Sequence, residues 1–109
     1  MKEVIYNYLE SFDEQTKQRF LMLYGLIYES TSRSIEEKLW AKLPSFYVDS
    51  NFIRLIPFKN HINVEAKAVI FYKDELSGYK ITPKGMLQIF HNQQVPSKLL
   101  KIIFAESFK

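Results

Sequence analysis

Apolar side chains recur at intervals of three and four along the segment Phe20, Leu23, Tyr24, Ile27 and Tyr28, which places them on one face of a helix. Lys17, Gln18 and Arg19 fall on its opposite, polar side. Ser11 and Glu14 stand at capping-box spacing before it, and Asp13 adds negative charge where the helix dipole favours it. The run Ser30-Thr31-Ser32 stops the helix. Upstream, Val4, Ile5, Tyr8 and Leu9 share the same spacing and predict a short leading helix.

From Lys38 onward the period shortens to two. Leu39-Trp40-Ala41 and Ser45-Phe46-Tyr47-Val48 flank Leu43-Pro44, where proline lacks a ladder donor and predicts a bend or strand end. Asp49-Ser50-Asn51 supplies turn chemistry before Phe52-Ile53-Arg54-Leu55-Ile56, so the two runs read as a hairpin. Phe58, Asn60, Ile62 and Val64 then alternate with Lys59, His61, Asn63 and Glu65, a half-buried strand with one polar face. Residues 66–76 return to helical spacing, ended by Ser77-Gly78 with glycine as a left-handed cap. Pro83-Lys84-Gly85 reads as a turn and Met86 to Phe90 as a last strand. Pro96 opens a closing helix filled by Leu99, Leu100, Ile102, Ile103 and Phe104. This order predicts one α+β domain over residues 1–109, with helices on one face of a mostly antiparallel sheet. Its expected core includes Phe20, Tyr24, Ile27, Leu55, Ile62, Leu99 and Ile103.

Composition narrows the function classes. With 109 residues, 47% hydrophobic and 16% aromatic, the chain can bury one core without staples. It has no cysteine, which removes disulfides, thiolate metal sites and cysteine nucleophiles. The net charge of +3 is spread out, with no run of five basic residues, so nucleic acid is not the expected partner. No apolar run approaches the ~18 residues of a membrane span, and no signal-peptide core is visible; the expected location is the cytoplasm, with no membrane partner.

Candidate chemistry is sparse. There is no nucleophile elbow and no glycine-rich phosphate loop. The carboxylate pairs Asp13/Glu14, Glu36/Glu37 and Asp74/Glu75 are adjacent residues, which face apart on a helix and fit capping or a solvated surface better than an acid–base dyad. The chain therefore reads as non-enzymatic, with no cofactor. Its two histidines, His61 and His91, lack the spacing of a metal pair, and His91 beside Asn92-Gln93-Gln94 reads as an exposed loop residue. The polar sheet face says more. Strand alternation puts Lys59 and His61 on one side, Arg54 and Tyr47 can join them, and Lys80 and Lys84 flank the turn into the last strand. Cations with a tyrosine on one face suit a small anionic ligand or an acidic protein segment. The rival reading leaves Lys59 and His61 solvated and pairs Arg54 with a carboxylate such as Glu65.

Three blocks carry a resemblance: Trp40-Ala41-Lys42-Leu43-Pro44-Ser45-Phe46-Tyr47, Phe58-Lys59-Asn60-His61-Ile62, and Gly78-Tyr79-Lys80-Ile81-Thr82-Pro83-Lys84-Gly85-Met86-Leu87-Gln88-Ile89. In this order and spacing they resemble the YdhG-like family, a domain of unknown function, over most of the chain. The resemblance implies a frataxin-like α+β fold with terminal helices packed on an antiparallel sheet. It also implies, as the alternative function, an iron chaperone that delivers iron to cofactor assembly. Carboxylates would then hold the metal, with Asp13 and Glu14 best placed and Glu29, Glu36 and Glu37 as further ligands. Asn63 stands where the family usually has glycine, and Lys42-Leu43-Pro44 replaces its usual Tyr-Gly-Met-Pro bend, which marks a divergent subgroup.

Overall fold

The computed structural model describes residues 1–109. Two helices open the chain, α1 (Glu3–Leu9) and α2 (Glu14–Glu29), followed by β1 (Glu36–Trp40), β2 (Leu43–Val48), β3 (Asn51–Pro57) and β4 (His61–Ala66). A single 3-10 turn at Val69–Tyr72 leads to β5 (Lys80–Ile81), β6 (Leu87–Phe90) and the closing helix α3 (Ser97–Ser107). The six strands form one sheet in the order β1-β2-β3-β4-β6-β5, and every neighbouring pair is antiparallel. This is the α+β architecture that the periodicities predict.

Alternation along the strands builds the core. Phe46 and Val48 of β2, Ile53 and Leu55 of β3, Ile62 and Val64 of β4, and Leu87 and Ile89 of β6 are all buried. They meet Phe20, Leu23 and Ile27 of α2 and Leu100, Ile103 and Phe104 of α3 in one cluster. Of the expected core, Phe20, Ile27, Leu55, Ile62 and Ile103 are fully buried, whereas Tyr24 and Leu99 pack at its edge. In α3 the neighbouring Leu100 takes the central position instead of Leu99.

Local chemistry departs from expectation in several places. Asp13, not Ser11, caps α2: its carboxylate accepts from the Thr16 amide at 2.9 Å, while the Ser11 hydroxyl donates to the Tyr8 carbonyl. Aspartate caps as well as serine and its charge also meets the helix dipole, so the helix starts two residues later. The β1–β2 bend lies at Ala41-Lys42, both in the left-handed region at φ 50° and 66°, which matches the twist of a tight hairpin. Pro44 therefore sits inside β2, opposite Leu39. The stretch 66–76 is no regular helix. Val69 and Leu76 plug the core, but Ile70 and Phe71 are 60% and 78% exposed, so its apolar residues do not lie on one helical face. Gly78 is not left-handed; among the glycines only Gly85 is, at φ 87°. Phe58, Lys59 and Asn60 form the β3–β4 turn, closed by the Phe58 amide donating to the His61 carbonyl at 2.8 Å. On α2, Arg19 is not on a wet face, because its guanidinium donates to the carbonyls of Phe90 and Gln93.

Burial ranks the two leucines of α3. Leu100→Ala is expected to destabilise by about 2–5 kcal/mol, the range for a packed leucine, and Leu99→Ala by clearly less. Urea unfolding of both variants checks the order; equal losses would mean that α3 is rotated from the position described.

Candidate functional site

The three helices lie on one face of the sheet, so the other face is assembled only from alternate strand residues. On β2 and β3 the register sets Ser45 opposite Arg54 and Tyr47 opposite Phe52, and on β3 and β4 it sets Arg54 opposite Glu65. Arg54 is thereby enclosed. Its Nε donates to Ser45 Oγ at 2.8 Å, Nη1 to Glu65 Oε1 at 2.9 Å and Nη2 to the Tyr47 hydroxyl at 3.3 Å. The guanidinium carbon lies 4.3 Å from the Trp40 ring centre and 4.1 Å from that of Phe52. Only 5% of Arg54 remains exposed. A planar cation fits between two rings, and the Glu65 carboxylate neutralises it. Arg54 is therefore a rivet between β2, β3 and β4 rather than a free anion receptor, which is the rival reading of this residue.

Lys59 and His61 lie elsewhere. Lys59 belongs to the exposed turn, so the two do not share a strand face; they line the same recess instead. That recess encloses about 820 Å³ between the β3–β4 turn, the end of β6 and the start of α2, with Asp13, Asn60, His91 and Asn92 also in its wall. His61 stacks on Phe58 at 4.5 Å and 13°, tilts against Phe90, and has Nδ1 2.7 Å from Asn60 Oδ1. Burial, then the nearness of His91 and of Lys80, hold His61 below the ordinary imidazole pKa. His91 is half-buried rather than a free loop residue. Its Nε2 lies 3.0 Å from Thr16 Oγ1, and its Nδ1 is buried with no partner in the protein. Asp13, spent on capping, stays below the usual carboxylate range because the Thr16 amide donates to it.

The six candidate cationic and phenolic residues thus separate into two groups. Tyr47 and Arg54 join Trp40, Phe52 and Lys84 around a shallow depression on the uncovered face. Lys59 and His61 line the recess at the sheet's end, with Lys80 close enough to act on His61. Trp40, Phe52 and His91 are not among the site residues that the sequence suggests. The two aromatics were findable, since Trp40 shares strand parity with Lys38 and Phe52 with Arg54; the Thr16–His91 contact, 75 residues apart in the chain, left no local signal.

The five acidic candidates do not converge. Asp13 caps α2, Glu14 and Glu36 are exposed, and Glu29 reaches Lys101 at 3.6 Å. Glu37 is buried, contrary to the solvated surface expected for it. Its carboxylate accepts from the Lys2 amide at 2.7 Å, from the Tyr24 hydroxyl at 2.5 Å and from the Tyr28 hydroxyl. These donors tie α1 and α2 to β1. No group of three or more His, Asp or Glu side chains is placed to hold a metal ion.

Glu37 and its tyrosines make stability depend on pH at both ends. Burial pushes Glu37 up, but the Lys2 amide and the two hydroxyls outweigh it and leave the carboxyl low. A lowered carboxyl contributes stability that is present above the unfolded pKa near 4.3 and is lost as pH falls through the folded value. Burial and the Glu37 carboxylate push Tyr24 up to about 12 and Tyr28 higher still. Their contribution is present below about 10 and lost as pH rises through the folded values. Glu37→Gln is expected to shrink the acid-side loss of stability, read from melting temperature between pH 3 and pH 7; an unchanged acid limb would refute the role. At the Arg54 node, Glu65→Ala is expected to cost about 2 kcal/mol, below the ~3–5 of a fully buried pair because Glu65 is part-exposed. A loss under half of that in urea unfolding would show that the rings, not the carboxylate, hold Arg54.

No protein-family model matches the chain, and no curated protein matches its sequence. A solved crystal structure does: a DUF1801-family protein, YdhG, from Bacillus subtilis superposes with a TM-score of 0.78 at 23% identity, over 93% of this chain and 86% of that one. The likeness joins the two in fold. The chain has the YdhG-like fold.

Proposed function

We propose that the chain is a non-catalytic binding module, a divergent YdhG-like domain, that takes a small anionic ligand in the recess lined by Lys59 and His61. One observation carries this reading. Of the candidate cations, Arg54 is neutralised by Glu65, whereas Lys59, His61 and Lys80 make no ion pair; the one carboxylate in the recess wall, Asp13, is bound by the Thr16 amide and keeps a charge that acts on Lys59 only at longer range. Positive groups crowded beside a concave, partly apolar wall lower the cost of binding a negative ligand. The Asn60 and Asn92 side chains offer amide donors, and a protonated His61 would form a charge-assisted bond to a carboxylate or phosphate oxygen. An acidic side chain from a protein segment presents the same carboxylate. The iron-delivery role has no such support, because its five carboxylates are dispersed and largely engaged.

Proton-detected titration of His61 with and without phosphate or citrate tests the reading. A bound anion favours the protonated ring, so the depressed pKa of His61 is expected to rise, and binding to weaken with pH and with salt. Lys59→Ala should remove most of that rise. An unmoved titration curve, or an equal rise in Lys59→Ala, refutes the site; a glutamate-rich peptide in place of citrate separates a free ligand from a protein segment.

A further inference from the structure

A second feature lies on the uncovered face, away from the recess. Trp40 is 53% exposed although it forms one end of an ordered cluster. One face of its indole covers Arg54, and Arg54 in turn covers Phe52. Phe52 leans on Tyr47 at 5.8 Å between ring centres, and Lys38 Nζ sits 4.5 Å over the Tyr47 ring. Three rings and two cations therefore interleave across three adjacent strands. Lys84, on the turn at Gly85, lines the same depression of about 590 Å³ from the other side. The acid at its centre, Glu65, is consumed by Arg54. Lys38 and Lys84 make no ion pair and outnumber the one further acid of the face, the exposed Glu36 opposite Tyr47, so the face is net positive.

We propose that this face binds single-stranded nucleic acid, with a base stacked on the open side of Trp40 and neighbouring phosphates on Lys38 and Lys84. An open antiparallel sheet whose outward rings are flanked by lysines is the arrangement that unstacked bases require, and such a platform seats about two or three of them. Every base has a planar face, so one fixed indole serves without sequence readout. An acidic peptide would use the lysines but leave the indole unmatched. A second copy of the chain would bring Lys38 and Lys84 against like charge. The expectation against nucleic acid rested on the lack of a basic run in the chain; the sheet gathers Lys38, Arg54 and Lys84 from separate strands and a turn, where no run would show.

Trp40 is the chain's one tryptophan, so its fluorescence reports on the site directly. Octathymidylate and octauridylate, titrated at 50 mM salt, are expected to quench it, and a glutamate octapeptide is not. With a labelled oligonucleotide followed by anisotropy, Trp40→Ala should weaken binding roughly 5- to 150-fold, the range for one lost base stack. Lys38→Ala and Lys84→Ala should each reduce the slope of log affinity on log salt by roughly 0.7. Trp40 is at an exposed sheet edge, and circular dichroism of each variant confirms that the fold is kept; the two lysine variants test the face without touching the ring. Absence of binding, equal quenching by the glutamate peptide, or binding unchanged in Trp40→Ala overturns the proposal. Binding lost in Lys59→Ala but kept in Trp40→Ala would move the phosphate contact to the recess and also overturn it.

Discussion

Six antiparallel strands and three helices leave one side of the sheet without a covering layer, and much of the structure follows from that shortage. A sheet covered on one face can bury only every second residue of each strand. The remaining half must either stay polar or satisfy itself laterally. Here it does the latter. Arg54, at the middle of the sheet, takes three side-chain acceptors from β2 and β4 and two aromatic rings, so a charge that would otherwise demand water is held dry. The rings that shield it remain open on their outer sides. The same arrangement that stabilises the face leaves the Trp40 indole exposed upon it.

The opposite edge is governed by a different constraint. β1 lies at the sheet's edge, where unpaired backbone invites association with other chains. α1 packs beside it, held by the Lys2 amide on Glu37 and by the tyrosines of α2. A single buried carboxylate thus fixes the leading helix, the long helix and the edge strand against one another. Such a carboxylate is costly when alone and stable only with its donors in place. Of the acidic residues of α2 and β1, Glu37 alone is buried in this way; Glu29 meets Lys101 at the surface, and Glu14 and Glu36 are exposed.

The recess at the far end arises where three connections meet. The Asp13 cap starts α2 beside the Phe58–Asn60 turn, and the chain leaving β6 brings His91 under Thr16. None of these residues is apolar core, so the junction keeps space and polar groups together. The aromatic pair Phe58 and Phe90 dries one wall around His61, which depresses its charge affinity while Lys59 and Lys80 stay wet. A recess that holds cations outside any ion pair beside a histidine kept below its ordinary pKa results from packing rather than from any local motif.

Periodicity alone determined the order of the main helices and strands, but not the 3-10 turn after Ala66 or the short β5, and it determined the mostly antiparallel sheet with helices on one side and most of the core, because periods of two and 3.6 are written in consecutive residues. It placed Phe20, Ile27, Leu55, Ile62 and Ile103 inward without reference to any partner. It failed where the decisive contact was distant. The stretch after Ala66 reads as helical, yet Ser107 of α3 binds the Ala68 amide and the segment is pinned as a 3-10 turn. Lys59 and His61 alternate in sequence, but a turn at Phe58–Asn60 removes Lys59 from the strand. The sequence named Arg54 and Glu65 as a possible pair; only the register of β3 on β4 made them one and withdrew Arg54 from the set of free cations. Strand parity is local and therefore legible. Which charges end beside which is a property of register, turn geometry and packing between distant segments, and that was decided only when the chain folded.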